Sequence, residues 1–275
     1  VTVPAAASRL AVPLAAAGRL VAGRAPRGGG VVLAYHDVNP GPEPDGPWSV
    51  TAAQLRTHVR VARRVGFTFV TLAELTDRCR RGESVDGLAA VAFDDALAGV
   101  SRHGLPLLDE LGVPSTLMTV STAWGSPPRW WPGSARTMTR AELVEAVAHG
   151  VQLAAHTRTH ASLTALVDGR SGGLRDEVSG CRAELEDITG RPVDLFAYPF
   201  GHHDPAVRDA VQEAGYAAAF TFLNGRVGSG LDRHRLPRLT MGAHQSAARL
   251  TYHLARTARS WPDHQLDRVA GDEAL

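Results

Sequence analysis

The chain has 275 residues, 44% of them hydrophobic, and its 29 basic and 28 acidic side chains leave a formal charge of +1. That length suits one large α/β domain with a sizeable core. The near-balance of charge, with no basic stripe or tail, excludes the usual footprint of a nucleic-acid-binding protein. The sequence holds no lysine, so the arginine count reflects coding bias rather than a phosphate-binding surface.

Residues 1–30 are rich in Ala, Val and Leu and are interrupted by Arg9, Arg19, Arg24 and Arg27. The apolar run between Arg9 and Arg19 contains Pro13 and falls far short of the ~20 residues of a spanning helix, so no transmembrane segment is expected. A signal peptide would have only Arg9 in its basic region. A leader or peripheral amphipathic helix fits better, which favours a cytoplasmic or peripheral location over secretion.

From Val31 onward, short apolar runs alternate with segments of helical period. Val31–His36 reads as a buried strand, followed by a Pro/Gly-rich loop over Asn39–Trp48. Thr51–Val65 places Leu55, Val59, Ala62 and Val65 on one helical face. Phe67–Val70 is a strand, Leu72–Arg81 a helix, and Leu88–Phe93 a strand that runs into Asp94 and Asp95. A helix over His103–Leu111 is stopped by Gly112. The Thr116–Val120 strand leads into a long loop, Ser121–Thr137, that carries Trp124, Trp130 and Trp131. Thr139 with Glu142 forms a capping-box pattern. Val151–Ala155 is a strand ending at His156, and Asp176–Thr189 a helix. Leu195–Tyr198 is a strand, Pro205–Ala214 a helix, and Ala217–Thr221 and Leu236–Leu239 are the last strands.

This alternation argues for parallel βαβ units. Seven or eight of them suggest a single-domain, distorted (β/α) barrel over residues 31–245, with a helical extension over 246–275; an open doubly wound sheet is the alternative. Cys79 and Cys181 are the only cysteines. They read as small, semi-buried hydrophobes and leave the redox compartment open.

The polar residues that interrupt the apolar runs share one location. His36, Asp94, Asp95, His156 and the Tyr198–Gly201 turn all follow the C-terminal ends of predicted strands, the face that carries chemistry in parallel α/β barrels. His156 and His160 are four residues apart, a spacing that lets two imidazoles converge. With one carboxylate they make a three-ligand set for a divalent cation with positions left for water and substrate. Taken alone, the pair is as well explained by chance surface histidines. No Glu follows the first His, which disfavours a zincin-type protease. Asp94-Asp95 repel each other at a strand end unless a cation or donor relieves them. One can ligate metal while the other stays free as a general base; a single Asp there is equally an N-cap.

The sequence resembles the polysaccharide deacetylases, the NodB-homology proteins of carbohydrate esterase family 4. Phe93-Asp94-Asp95-Ala96 matches the family's Thr-Phe-Asp-Asp-Gly motif, with Ala92 and Ala96 at its ends. His156–His160 matches its His-Ser/Thr-x-x-His motif. Phe196–Gly201 is similar to the third motif in the form found near the exopolysaccharide N-deacetylases, and the likeness runs from Val31 to Leu239. The resemblance implies hydrolysis of acetyl groups on N-acetylated sugars, with Asp94 as base and Asp95, His156 and His160 holding one divalent cation. Zn²⁺ is the leading candidate, with Co²⁺, Ni²⁺, Fe²⁺ or Mn²⁺ as alternatives. It also implies that the Phe200 N–H stabilises the oxyanion and that Tyr198 and Pro199 face substrate.

Three positions depart from the family pattern. Ala96 replaces a Gly, which narrows backbone freedom. Ala197 stands where many members have the Arg that pairs with the base; Arg238, after a late strand, is the candidate replacement, its alternative being a surface ion pair or helix cap. The late motif that holds the family's general-acid His does not align. Leu250-Thr-Tyr-His253 fits its letters but falls on a helix beyond the barrel, and His244 fits no better. His36 is the preferred extra active-site His, the alternative being a strand-end His bonded to Asp37. Trp124 is assigned to sugar stacking, although loop aromatics serve equally as a local core. Asp109, Glu142, Glu177, Glu184 and Glu186 read as solvated helix faces. Two further functional readings stand beside the deacetylase: a non-haem Fe(II) enzyme using a 2-His-1-carboxylate set, and a catalytically impaired carbohydrate-binding member of the fold.

Overall fold

The computed structural model describes residues 26–167 and 173–256. The strands are β1 (Val31–Tyr35), β2 (Asp37–Asn39), β3 (Ser49–Thr51), β4 (Thr68–Phe69), β5 (Leu88–Asp94), β6 (Ser115–Thr119), β7 (Gln152–Ala155), β8 (Leu195–Ala197), β9 (Ala218–Phe220) and β10 (Leu239–Thr240). The helices are α1 (Ala52–Val65), α2 (Leu72–Arg80), α3 (Leu105–Glu110), α4 (Arg140–Ala148), the single turn α5 (Gly173–Arg175), α6 (Cys181–Thr189), α7 (Pro205–Glu213) and α8 (Ala247–Arg256). The main sheet is parallel, in the order β10-β1-β5-β6-β7-β8-β9, with β4 also on β5. It curls until its ends meet: Phe220 of β9 bridges Leu236, and three residues on, Leu239 pairs with Leu33 of β1. The expected distorted (β/α) barrel is the fold.

Local signals account for the helices. Thr51 and Gln54 cap α1 reciprocally, its buried face is Leu55, Val59, Ala62 and Val65, and it stops at Gly66 with φ 103°. The Thr139–Glu142 capping box on α4 is also formed. The helices read over 103–111 and 176–189 begin differently. Each opens with a π turn, Val100–Gly104 before α3 and Asp176–Gly180 before α6. The loop over 39–48 is flanked by a short parallel pair, β2 with β3.

The pleat sorts the core into two layers. Val31, Leu33, Tyr35, Val91, Phe93, Phe196 and Tyr198 pack outward with the helices. The alternate residues Val32, Ala90, Ala92, Met118, Ala154, Ala197 and Phe220 fill the barrel. Cys181 is buried and Cys79 half-buried, as free thiols. Leu250 and Leu254 of α8 are buried in the outer core layer. Residues 1–25 of the leader and 257–275 of the extension lie outside the described residues. Among the described residues, no helix is long and apolar enough to cross a membrane.

Candidate active site

The same alternation lifts a set of polar side chains onto the C-terminal mouth of the barrel. Ala90 and Ala92 face inward, so two residues on Asp94 does too; Val32 sets the same parity for His36, Ala154 for His156, and Leu236 for Arg238. Small interior alanines let these longer groups converge.

Asp94 and Arg238 are both fully buried and form a two-pronged ion pair, with Arg238 Nη1 donating to Oδ1 at 2.6 Å and Nη2 to Oδ2 at 2.9 Å. Arg238 Nε donates to the Thr221 carbonyl, which fixes the plane of the guanidinium. Burial alone would raise the Asp94 pKa, but Arg238, with His156 and His36, overrides it and holds the carboxyl well below the usual range. Asp95 has the opposite fate: burial and the neighbouring Asp94 charge push it up to about 8.

Asp95, His156 and His160 offer three ligand atoms within 4.8 Å of one another. Asp95 Oδ1 lies 3.8 Å from His156 Nε2 and 3.4 Å from His160 Nε2. Ligand atoms about 2.0–2.2 Å from one tetrahedral cation are roughly 3.3–3.6 Å apart, so the set fits a divalent ion. His156 Nδ1 bonds the Ala197 carbonyl at 2.8 Å, which orients Nε2 toward Asp95. Burial lowers the pKa of both imidazoles, so they rest neutral, the form that ligates metal.

The backbone is bent at or next to each of Asp95, His156 and His160. Asp95 (φ 66°), Ala96 (φ 49°), Thr157 (φ 65°), His160 (φ 61°) and Phe200 (φ 59°) are the non-glycine residues with left-handed φ among those described. Ala96 therefore keeps the conformation of the motif's glycine, at a cost in strain. The 157–160 turn is held by Glu177, whose carboxylate accepts from the Arg158 and Thr159 N–H groups at 2.9 Å each and from the Thr159 hydroxyl. Glu184 accepts from Arg158 Nε and from the Ser121 hydroxyl. The sequence places these two acids on solvated faces; Glu177 is instead 9% exposed and braces the 157–160 turn. Glu142 likewise caps α4 and pairs with Arg136.

The remaining expectations divide. His36 is buried against Trp48, Trp131 and Phe222, with ring centroids 5.4–5.9 Å away. Its Nδ1 has no partner, and Asp37 Oδ1 accepts from the Val38 N–H instead. Burial pushes His36 down to about 4, with Asp94 opposing. Phe200 is 40% exposed at the rim, edge-on to His160. Its turn is closed by Gly201 N–H on Tyr198 and His202 N–H on Pro199, leaving the Phe200 N–H outside both bonds.

Tyr198 has the outward parity, is fully buried and donates its hydroxyl to the His234 carbonyl. Pro199 is buried too. Trp124 packs on the outer core, and the indoles of the same loop that reach the site are Trp130 on His160 and Trp131 on His36. His253 lies on α8, against Tyr252. Trp48 and Phe222 are absent from the sequence reading of the site, and of the loop tryptophans only Trp124 is assigned to it. Phe222 had a readable signal, following a strand end; nothing in the sequence separates Trp130 from Trp124.

A parallel barrel carries at its mouth two histidines, a carboxylate that could share a metal ion with them, and a second carboxylate clamped by an arginine. The polysaccharide deacetylase family model matches residues 81–219, and the chain belongs to that family. The Bacillus subtilis protein YxkH, provisionally described as a polysaccharide deacetylase, is 19% identical over 194 residues. That alignment covers 69% of this chain, which spans 63% of the length of this curated relative. The structure of IcaB from Ammonifex degensii superposes with a TM-score of 0.71 at 24% identity, covering 84% of this chain and 98% of that one. The Streptococcus pyogenes deacetylase PplD, solved with acetate, gives 0.69 at 17%, covering 82% and 97%. At these identities the two structures establish the shared fold.

Proposed function

We propose that this chain is a metal-dependent deacetylase that hydrolyses the acetamide of N-acetylated sugars. The observation that carries the reading is the pairing of two differently tuned carboxylates: Asp95 among the imidazoles, and Asp94 beside it in the grip of Arg238. Asp95, His156 and His160 would hold the divalent ion, with Zn²⁺ the first candidate. When bound, such an ion polarises the acetyl carbonyl and makes water more acidic.

The chain's own groups supply the rest. Arg238 keeps Asp94 ionised, so its carboxylate is ready to take a proton from the attacking water. The Phe200 N–H donates to the oxygen that gains charge as the carbonyl carbon becomes tetrahedral. The proton taken up by Asp94 is then passed to the departing nitrogen, and His36, buried at the same mouth with an unpartnered Nδ1, is assigned to relay it. Water adds to the carbonyl carbon, the C–N bond breaks, and acetate and a free amine leave. Arg238 takes the role of the arginine missing at Ala197, which weakens the impaired-member reading. The parallel barrel weakens the non-haem iron reading, whose sites usually sit in β-sandwich barrels.

The test is metal content of the purified protein, followed by acetate release from chitin oligomers with and without chelator. Stoichiometric metal and chelator-sensitive release are expected. Acetate release that ignores the chelator would overturn the metal-dependent mechanism.

A further inference from the structure

Asp95 carries an unusual partner. Among the described residues, the indole N–H of Trp130 donates a hydrogen bond to its carboxylate, at 3.1 Å from Oδ1. That oxygen is also the one facing His156 and His160. The same indole lies flat on the His160 ring, with centroids 4.4 Å apart and planes within 10°. Phe200 meets the His160 ring edge-on at 4.7 Å. One side chain therefore touches two of the three ligands, by a directional bond to one and a stacked face on the other.

The loop that brings Trp130 there is stitched to the chain just beyond Asp95. Met138 N–H donates to the Ala96 carbonyl at 2.7 Å, and Ala98 N–H to the Arg136 carbonyl at 2.8 Å. Leu97 bridges Thr137 antiparallel. These bonds tie the loop to the strand that carries Asp95. The N–H occupies one acceptor direction of Oδ1 and fixes the rotation of the carboxylate, leaving the other direction turned to the two Nε2 atoms. His160 needs a similar brace, because its Nδ1 is buried with no hydrogen-bond partner to set the ring. His156 has the Ala197 carbonyl for that purpose; His160 has the indole face.

We propose that Trp130 is a positioning residue of the metal centre, setting the Asp95 carboxylate by its N–H and the His160 ring by its face. This rests on Asp95, His156 and His160 being the metal ligands. Partners that orient ligands in this way are typically worth about 10–100-fold in metal affinity.

The two contacts separate by substitution. Trp130→Phe keeps a ring on His160 and deletes the N–H, whereas Trp130→Leu deletes both. Zn²⁺ affinity, measured by competition with a chromophoric chelator, should fall about tenfold in the first variant and toward about a hundredfold in the second. With saturating Co²⁺, the visible absorption bands of Trp130→Phe should shift from wild type, because an unanchored carboxylate changes the ligand field. Trp124→Phe, in the same loop but packed on the core, should leave affinity and bands unchanged. Equal weakening by Trp124→Phe and Trp130→Phe would assign the effect to the loop as a whole and overturn the proposal, as would wild-type affinity and bands in Trp130→Phe. A wild-type protein that binds neither ion would instead overturn the metal reading itself.

Discussion

At the scale of single residues, two neighbouring carboxylates are driven apart by their surroundings. Asp94 is held ionised by a guanidinium at 2.6 and 2.9 Å, while Asp95 is pushed up by burial and by Asp94 itself. Environments that split a carboxylate pair in this way assign different tasks to its members. Asp94→Asn should therefore keep the bound cation, keep at least one hydrogen bond to Arg238, and lose about 10²–10⁴-fold in acetate release. Metal analysis and turnover on one preparation check both halves; an active Asp94→Asn enzyme would refute the base assignment. Asp95→Ala, His156→Ala and His160→Ala should each lose the metal along with activity. Much at this scale was legible in the sequence, because Ala90-Ala92-Asp94 and Ala154-His156 keep one parity along strands. The same reasoning places Tyr198 on the outward parity of Ala197's neighbours, which a motif match alone overlooks.

At the scale of elements, strands and helices follow from apolar period and capping residues, whereas the braces of the site do not. Glu177 shows why. Read as part of a regular helix it is one more acid on a wet face, but the π turn over Asp176–Gly180 turns it under the 157–160 loop. Insertions of that kind recur at functional sites and leave no mark in hydrophobic periodicity. The tryptophan loop is illegible for a related reason: its course is set by bonds to Ala96 and Ala98, which are distant in sequence. Glu177→Gln should cost about 1.5–3 kcal/mol, since it removes charge from an acceptor shared by two backbone N–H groups. Urea unfolding of metal-free protein measures that cost, and metal affinity should fall with it. Glu142 offers a pH test. Its pKa is lowered to about 2, first by Arg136 and then by the Thr139 cap, against burial. A depressed carboxylate stabilises the fold above its unfolded pKa of about 4.3, and that contribution is lost as pH falls toward 2. Glu142→Gln should therefore lie below wild type in stability at pH 7, with the gap closing over that acid range.

For the whole molecule, the Asp94–Arg238 clamp and the closure of the barrel are one structure. Between Leu236, which bridges β9, and Leu239, which pairs with β1, lies Arg238, whose backbone N–H donates to the Leu223 carbonyl. Its side chain crosses the mouth to Asp94 on β5. Arg238 at this seam reaches Asp94 directly and ties the last strand to the centre of the sheet. Removing one partner of a fully buried ion pair strands the other as an uncompensated charge, at about 3–5 kcal/mol. Arg238→Met should be destabilised on that scale at pH 7, and Asp94→Asn/Arg238→Met should recover much of the loss. Without the guanidinium, burial raises the Asp94 pKa in the variant's folded state. The folded variant then takes up a proton more readily than its unfolded chain, and its deficit shrinks as pH falls through that raised value. Wild type moves the other way, because its depressed Asp94 loses its contribution once pH drops below the ordinary carboxylate value of about 3.9. The two unfolding curves should converge toward low pH. Denaturant unfolding of wild type, both single variants and the double variant, at neutral and acid pH, reads the coupling directly. Strict additivity at pH 7, with a gap that stays constant in acid, would show that barrel closure and the base are energetically independent.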